Sequence, residues 1–438
     1  MTHDVAEPVR RAALPLRGEG DLDPLLERIG DSRFVLLGEA SHGTSEYYTW
    51  RAALTRRLIE EKGFSFVAVE GDWPDCHRVN CSVTASPGAP EDPADVLRGF
   101  GRWPTWMWAN EEVVEFTRWL RGHNLALPED ERVGFYGLDV YSLWDSLREA
   151  LAYLREHSPD EVESALEAFH CLEPYAEDPQ TYAEATWLVP ATCEEPVVEL
   201  LSRVRRVSVG TGRERDARFD AEQNARVAAG AEAYYRAMVR GGPDAWNLRD
   251  RHMADTLDRL VGHHEETARA PVRAVVWEHN THIGDARFTN MAKGGMVNVG
   301  QLARERHGED DVVLVGFGSH RGKVLAARAW DAPGRAVPLP SARPGSVEAL
   351  LHDSDVGPAA LFVFPPAQEQ PEWLTEVRAH RAVGVVYRPA QDRMRNYVPT
   401  VLGRRYDAFC WFDRTGALTP LHEERADGAE DETWPFGE

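Results

Sequence analysis

Four apolar runs in this chain stop abruptly in groups that can carry charge, and this recurrence limits the fold more than any other feature. Phe34-Val-Leu-Leu leads into Gly-Glu39-Ala-Ser-His42-Gly-Thr-Ser-Glu46. Phe64–Val69 leads into Glu70-Gly-Asp72, Val133–Tyr136 into Gly-Leu-Asp139-Val-Tyr141, and Val272–Trp277 into Glu278-His279-Asn-Thr-His282. Open α/β sheets place chemistry at the carboxyl ends of their strands. Parallel strands would bring these four polar ends to one rim, so a single site is expected there.

The remaining pattern supports an α/β fold. Further apolar runs occur at Val312–Phe317, Ala360–Phe364, Val383–Val386 and Ala408–Phe412. Short apolar runs separated by helical patterns predict a mostly parallel sheet buried on both faces. Glu46–Glu61 reads as a helix, with Thr44 or Ser45 available to cap it. The segment after Asp72 is expected to be irregular at first and then aromatic. Between Leu143 and Ala270 helical patterns dominate and no good strand is visible. The expected organisation is therefore a first part of the core with the aromatic segment (1–142), a helical insertion (143–270), a second part of the core (271–421) and an acidic tail (422–438).

Composition narrows the function classes. A chain of 438 residues with 43% hydrophobic content and 14 Trp can bury a large core. No apolar run approaches the ~20 residues that span a bilayer. The amino terminus lacks the basic-then-apolar pattern of a signal peptide, so the cytoplasm is the expected location. Asp and Glu number 72 against 49 Lys and Arg, a net charge of −23. Such a surface repels phosphate backbones, so neither nucleic acid nor an anionic membrane is an expected partner. Cys76, Cys81, Cys171, Cys193 and Cys410 form no Cys-x-x-Cys pair, and reduced, mostly buried thiols are expected.

Individual residues suggest the chemistry. Tyr47, Arg51, Leu54 and Leu58 share one helical stripe, which turns Arg51 inward. A buried guanidinium needs carboxylate partners, and Glu39 and Glu70 end neighbouring strands. His42 lies just ahead of a helix amino terminus, where the dipole favours a neutral imidazole, the form a general base needs. Ser41 matches only half of the nucleophile-elbow pattern, which leaves water as the nucleophile. His279 and His282, beside Glu278, form a second cluster that could bind zinc or manganese, although no recognised metal-ligand spacing is present. Trp103, Trp106 and Trp108 form an aromatic group suited either to core packing or to a ligand wall.

Taken together, these motifs resemble those of the erythromycin esterase family. The likeness rests on Gly-Glu39-Ala-Ser-His42-Gly-Thr-Ser-Glu46, Val-Glu70-Gly-Asp72-Trp, Trp-Pro-Thr-Trp106-Met-Trp108, Tyr-Gly-Leu-Asp139-Val-Tyr-Ser, Trp246-Asn-Leu-Arg-Asp-Arg-His252-Met and Trp277-Glu-His279-Asn-Thr-His282. It runs from about Phe34 to Leu421 and departs at Trp411, where many relatives carry His. The resemblance implies a three-layer α/β/α core with a helical insertion, an architecture shared with ChaN-like haem-binding proteins. It also implies ester hydrolysis, of a macrolide lactone in the best-known members. In that family the His matched by His42 is proposed to activate water. Residues matched by Glu39, Arg51, Glu70 and one His of the His279/His282 pair support it.

The expected protein is thus a hydrolase of a carboxylic ester or lactone on a fairly large organic molecule, working without a cofactor. His42 acts as the base, and Glu39 or Glu70 tunes it. Arg51 with His279 or His282 stabilises the oxyanion, and Trp103, Trp106, Trp108, Asp139 and Tyr141 contact the substrate. Two alternatives stay open: a metal-dependent hydrolase using the same His and Glu cluster, and a non-catalytic module binding a ligand or haem.

Overall fold

The computed structural model describes residues 3–422 except 176–178, 189–191, 209, 269 and 331. The acidic tail lies outside them beyond His422. Nine strands form one sheet: β1 (Leu14–Pro15), β2 (Phe34–Leu37), β3 (Phe66–Asp72), β4 (Gly134–Asp139), β5 (Ala274–Trp277), β6 (Val312–Ala326), β7 (Arg335–Leu339), β8 (Ala359–Val363) and β11 (Ala408–Thr415). Their order is β1-β8-β11-β6-β2-β5-β3-β4, with β7 against the far end of β6. Strands β11, β6, β2, β5, β3 and β4 are parallel to their neighbours in that run. Strands β1, β7 and β8 pair antiparallel. Strands β9 (Val377–Arg381) and β10 (Tyr397–Val401) form a separate antiparallel pair.

Alternation along the central strands builds two cores. Val35, Leu37, Val275 and Trp277 face one side, with helix α1 (Ser45–Lys62) and the aromatic segment. Phe34, Leu36, Ala274 and Val276 face the other, with Met253, Leu257 and Leu260. Helices therefore cover both faces of the sheet, as its apolar strands require. The protein is a three-layer α/β/α fold with a mostly parallel sheet.

The chain between β4 and β5 is helical: α4 (Leu143–His157), α5 (Val162–Leu172), α6 (Pro179–Leu188), α7 (Glu194–Arg206), α8 (Arg213–Met238) and α9 (Asp244–Glu265). Much of it packs on a core of its own, around Leu147, Leu151, Leu200, Tyr234 and Tyr235. Before it lie α2 (Trp73–Val83) and α3 (Glu111–Leu125), and after β5 comes the short α10 (Asn280–Ile283).

Four expectations are corrected. Asp72 is followed at once by α2, started by Trp73-Pro74; Pro is favourable in a first helical turn. Val383–Val386 is no ladder strand; it makes single bridges, Ser41 to Val383 and Ala327 to Val386. Cys171 and Cys193 are joined in a disulfide across 22 residues, because the end of α5 and the start of α7 bring their Cα atoms to 5.8 Å. Thr44 is the N-cap residue of α1 but does not cap with its side chain. Its hydroxyl instead bonds that of Ser41.

Candidate active site

The carboxyl ends of β2, β3, β4 and β5 meet at one rim, and α9 of the insertion closes over it. Glu39 and His42 follow β2. His42 Nδ1 is 2.9 Å from Glu39 Oε1, and both side chains are buried. The other Glu39 oxygen accepts a 2.9 Å bond from Arg51 Nη2. Gly43 holds this loop against β6. Its carbonyl accepts bonds from the amides of Leu325 and Leu418, and a Cβ there would lie 1.8 Å from the Leu325 carbonyl oxygen. Only glycine permits that approach.

Arg51 is fully buried, with its guanidinium 4.3 Å from the Tyr48 ring centroid and 5.2 Å from that of Trp277. It contacts Glu39 and not Glu70, by one hydrogen bond rather than two; its Nε and Nη1 have no partner among the described residues. It does not line the cleft described below. The Arg51→Lys variant keeps the charge but loses the flat face stacked on Tyr48. A shift of the Glu39–His42 pair by about 1 Å costs about 10²-fold in rate. Steady-state kinetics of Arg51→Lys should show that loss in kcat, with KM little changed; wild-type turnover would remove Arg51 from the orienting role.

Glu70 lies two residues before the end of β3 and ties the rim together. Its Oε2 accepts the backbone N–H of His279 at 2.8 Å, and its Oε1 accepts Arg249 Nη2 at 2.7 Å. Arg249 also grips Asp139 by two bonds, Nε at 2.9 Å and Nη2 at 2.7 Å. Burial would raise Glu70, but the charges of His282, Arg249 and His42 outweigh it and hold the carboxyl at about 2. Asp139 is likewise pushed up by burial, and Arg249 brings it down to about 2. The Arg249 face rests 4.8 Å from the Tyr141 ring centroid.

The two later histidines differ. His279 begins α10, and its ring centroid is 4.9 Å from that of His42. Burial and the neighbouring His42 hold His279 well below the usual imidazole range. Its Nδ1 accepts the Thr281 backbone N–H at 3.3 Å, which leaves the ring proton of the neutral form on Nε2. His282 stacks on Trp246 at 4.6 Å, and its Nδ1 is 2.9 Å from Asp250 Oδ1. Burial lowers His282, but Asp250 and Glu70 more than reverse this, so it is raised.

Glu278 is buried, and neither oxygen has a hydrogen-bond partner among the described residues. Burial first, then Glu70 and Asp250, push it well above the carboxylate range. Its folded value is raised, so its contribution to stability is present below the unfolded pKa of ~4.3 and is lost as pH rises from there. Above that value the folded state holds more proton than the unfolded state at this residue, so stability falls as pH rises, with a slope that cannot exceed about 1.4 kcal/mol per pH unit. Urea unfolding at several pH values should show the wild-type stability falling more steeply with pH than that of Glu278→Gln. Parallel curves would mean that Glu278 is ionised in the fold.

An open cleft reaches this rim at Glu70, Asp139 and Arg249, which line it; Glu39, His42, His279 and His282 lie behind them and are not among its lining residues. Trp103, Trp108, Tyr141 and Trp330 form its aromatic wall, and Asp72, Asp75 and Arg102 its polar side. Trp108 donates to the Glu70 carbonyl at 2.9 Å, and Trp103 to that of Ala332 at 3.0 Å. Trp106 does not line the cleft; it is buried in the core, where its indole lies against Gly334. Among the described residues no group of three His, Cys, Asp or Glu is arranged to hold a metal ion. No described helix is long and apolar enough to cross a membrane.

Arg249, Asp250 and Trp246 escaped the sequence reading as site residues. Their signal was the one that exposed Arg51, an arginine inside an apolar stripe: Trp246, Arg249, Met253 and Leu257 lie at i, i+3, i+7 and i+11, and all four are buried.

The family model described as Erythromycin esterase matches residues 59–415. That match begins beyond Glu39, His42 and Arg51, so their assignment rests on geometry. The erythromycin esterase type II of Escherichia coli is 32% identical over 120 residues, which is 27% of this chain and 26% of that protein. The alignment thus spans about a quarter of the curated relative. Three solved structures share the fold. A succinoglycan biosynthesis protein covers 96% of this chain and 99% of its own, at 19% identity and a TM-score of 0.76. A Bacillus cereus protein does the same at 19% identity and a TM-score of 0.74. A mutant of the erythromycin esterase EreC in its open conformation covers 96% of this chain and 98% of its own, at 16% identity and a TM-score of 0.66.

Proposed function

Because the chain belongs to the erythromycin esterase family, we propose that it is a hydrolase of carboxylic esters, with a macrolide lactone or a related natural-product ester as substrate and water activated by His42. The observation that carries this reading is the buried Glu39–His42 pair, 2.9 Å apart, with the His279 ring beside it. Glu39 holds the Nδ1 proton and leaves Nε2 as the base.

The steps follow from these groups. The ester enters by the cleft, with its bulk against Trp103, Trp108 and Tyr141, and its carbonyl passes Glu70 to reach His42. His42 Nε2 takes a proton from water as the water oxygen bonds to the carbonyl carbon. Glu39 stabilises the imidazolium that forms, and Arg51 keeps Glu39 turned toward it. Neutral His279 donates a hydrogen bond from its Nε2–H to the oxyanion and keeps the proton; a donor of this kind is worth about 10²–10³ in kcat. When the carbonyl re-forms, the ester C–O bond breaks. The leaving alkoxide takes the proton from His42, giving an acid and an alcohol. Arg249 keeps Glu70 and Asp139 ionised, and Glu70 in turn fixes the His279 backbone.

A mass-spectrometric screen against macrolide lactones and simpler natural-product esters tests the assignment. Hydrolysis adds the mass of one water to the lactone. A purified, folded protein that turns over no member of the panel, yet binds one in the cleft, would be a binding module instead.

A further inference from the structure

A second pocket lies in the helical insertion, between α7, α8 and α9, away from the esterase cleft. It is open to solvent and is lined by Arg226, His252, Asp255, Thr256 and Arg259, with Leu201 at its side. Several of its polar groups have nothing to bond. Arg259 makes no hydrogen bond and no ion pair with any described residue. The acids that attract it, Asp255, Glu222 and Asp258, are engaged elsewhere, Asp258 with Arg306 and His307. Glu222 Oε1 is shared by Arg205 Nε at 3.0 Å and Arg226 Nη2 at 2.6 Å. Asp255 is bonded to Arg306 at 2.8 Å. Thr256 is 2% exposed, and its hydroxyl has no partner among the described residues. A helical Thr ordinarily bonds back to the carbonyl one turn before it. The Nε2 of His252 is buried without a partner.

Unanswered donors around a cavity cost free energy unless a ligand or water meets them. Here the unpaired charged donor is the Arg259 guanidinium, whose shape matches the flat or tetrahedral oxygens of carboxylate and phosphate; Arg226 is held by Glu222 and Asp255 also lines the pocket. We propose that this pocket binds a small oxyanion, a phosphate or a carboxylate, held by Arg259 with the Thr256 hydroxyl and the His252 Nε2–H as further donors. Burial holds His252 at about 4, so its ring is neutral near pH 7 and one of its nitrogens carries a proton to donate. The site lies one helical turn from Arg249, and the charge of Asp139 acts on His252.

Isothermal titration of the full chain with inorganic phosphate, in chloride buffer of matched ionic strength, tests this. A parallel titration with sodium acetate separates a phosphate site from a carboxylate site. Saturable binding of one of the two is expected, weakened at least about tenfold in Arg259→Gln. Thr256→Val, which keeps the shape of the side chain, should weaken it as well and serves where Arg259→Gln does not fold. No saturable binding of either anion to the wild type would overturn the proposal. Unchanged affinity in a folded variant would also overturn it.

Discussion

His42→Ala is expected to fold, to keep most of its affinity for an ester substrate, and to lose about 10²–10⁴ in kcat, the usual cost of removing a general base. The side chain is buried, but it touches Glu39 and His279 rather than the sheet core, so its loss leaves the fold standing. Binding by fluorescence or calorimetry and turnover by mass spectrometry separate the two effects. Wild-type turnover should place solvent ¹⁸O in the acid product and persist in EDTA. Activity abolished by chelator and restored by zinc or manganese would transfer the proton chemistry to a metal-bound water. Turnover kept by His42→Ala but lost by Ser41→Ala would point to a covalent serine. Among the described residues the Ser41 hydroxyl bonds only that of Thr44, which is not a base.

Arg249→Met is expected to cost about 3–5 kcal/mol, the range for breaking a buried charge pair by removing one partner. The variant leaves Glu70 and Asp139 buried and facing each other, so both carboxyls should move up from about 2. Stability then falls as pH rises through the range where they ionise, the reverse of their wild-type contribution, which is present above ~4 and lost only as pH falls toward about 2. Adding Asp139→Asn to Arg249→Met should restore part of the loss, since one uncompensated charge disappears. Chemical unfolding at pH 7 measures both variants. A loss below about 1 kcal/mol for Arg249→Met would place it among exposed pairs and remove it as the tie between insertion and sheet.

The strand ends were legible because each apolar run stops sharply in Glu39, Glu70, Asp139 or Glu278, and all four strands are parallel neighbours in the region β2-β5-β3-β4. Arg51 was legible by helical phase, which also turned Tyr47, Leu54 and Leu58 inward. The choice between Glu39 and Glu70 as its partner was not. It depends on β5 lying between β2 and β3, a long-range pairing that leaves no local trace. Trp103, Trp106 and Trp108 looked equivalent in sequence, yet Trp106 turns into the core while the others face the cleft. Strands β9 and β10 break up their apolar residues with Arg, His, Pro and Thr, and so gave no apolar run. The Cys171–Cys193 bond depends on how two helices of the insertion meet, which spacing alone does not encode.

The sheet order also dictates when the molecule can take shape during synthesis. Strand β2 has two neighbours, β5 and β6, and both are encoded after the whole helical insertion. Strand β3 can pair early with β4, but β2 emerges from the ribosome with neither edge paired. An orphan apolar strand is a template for wrong partners. Its carboxyl end carries Glu39 and His42, while His279 follows only after β5. A nascent chain halted anywhere inside the insertion therefore holds His42, Glu70 and Asp139, yet lacks β5, the strand that joins β2 to β3. The four strand ends can meet only late in translation.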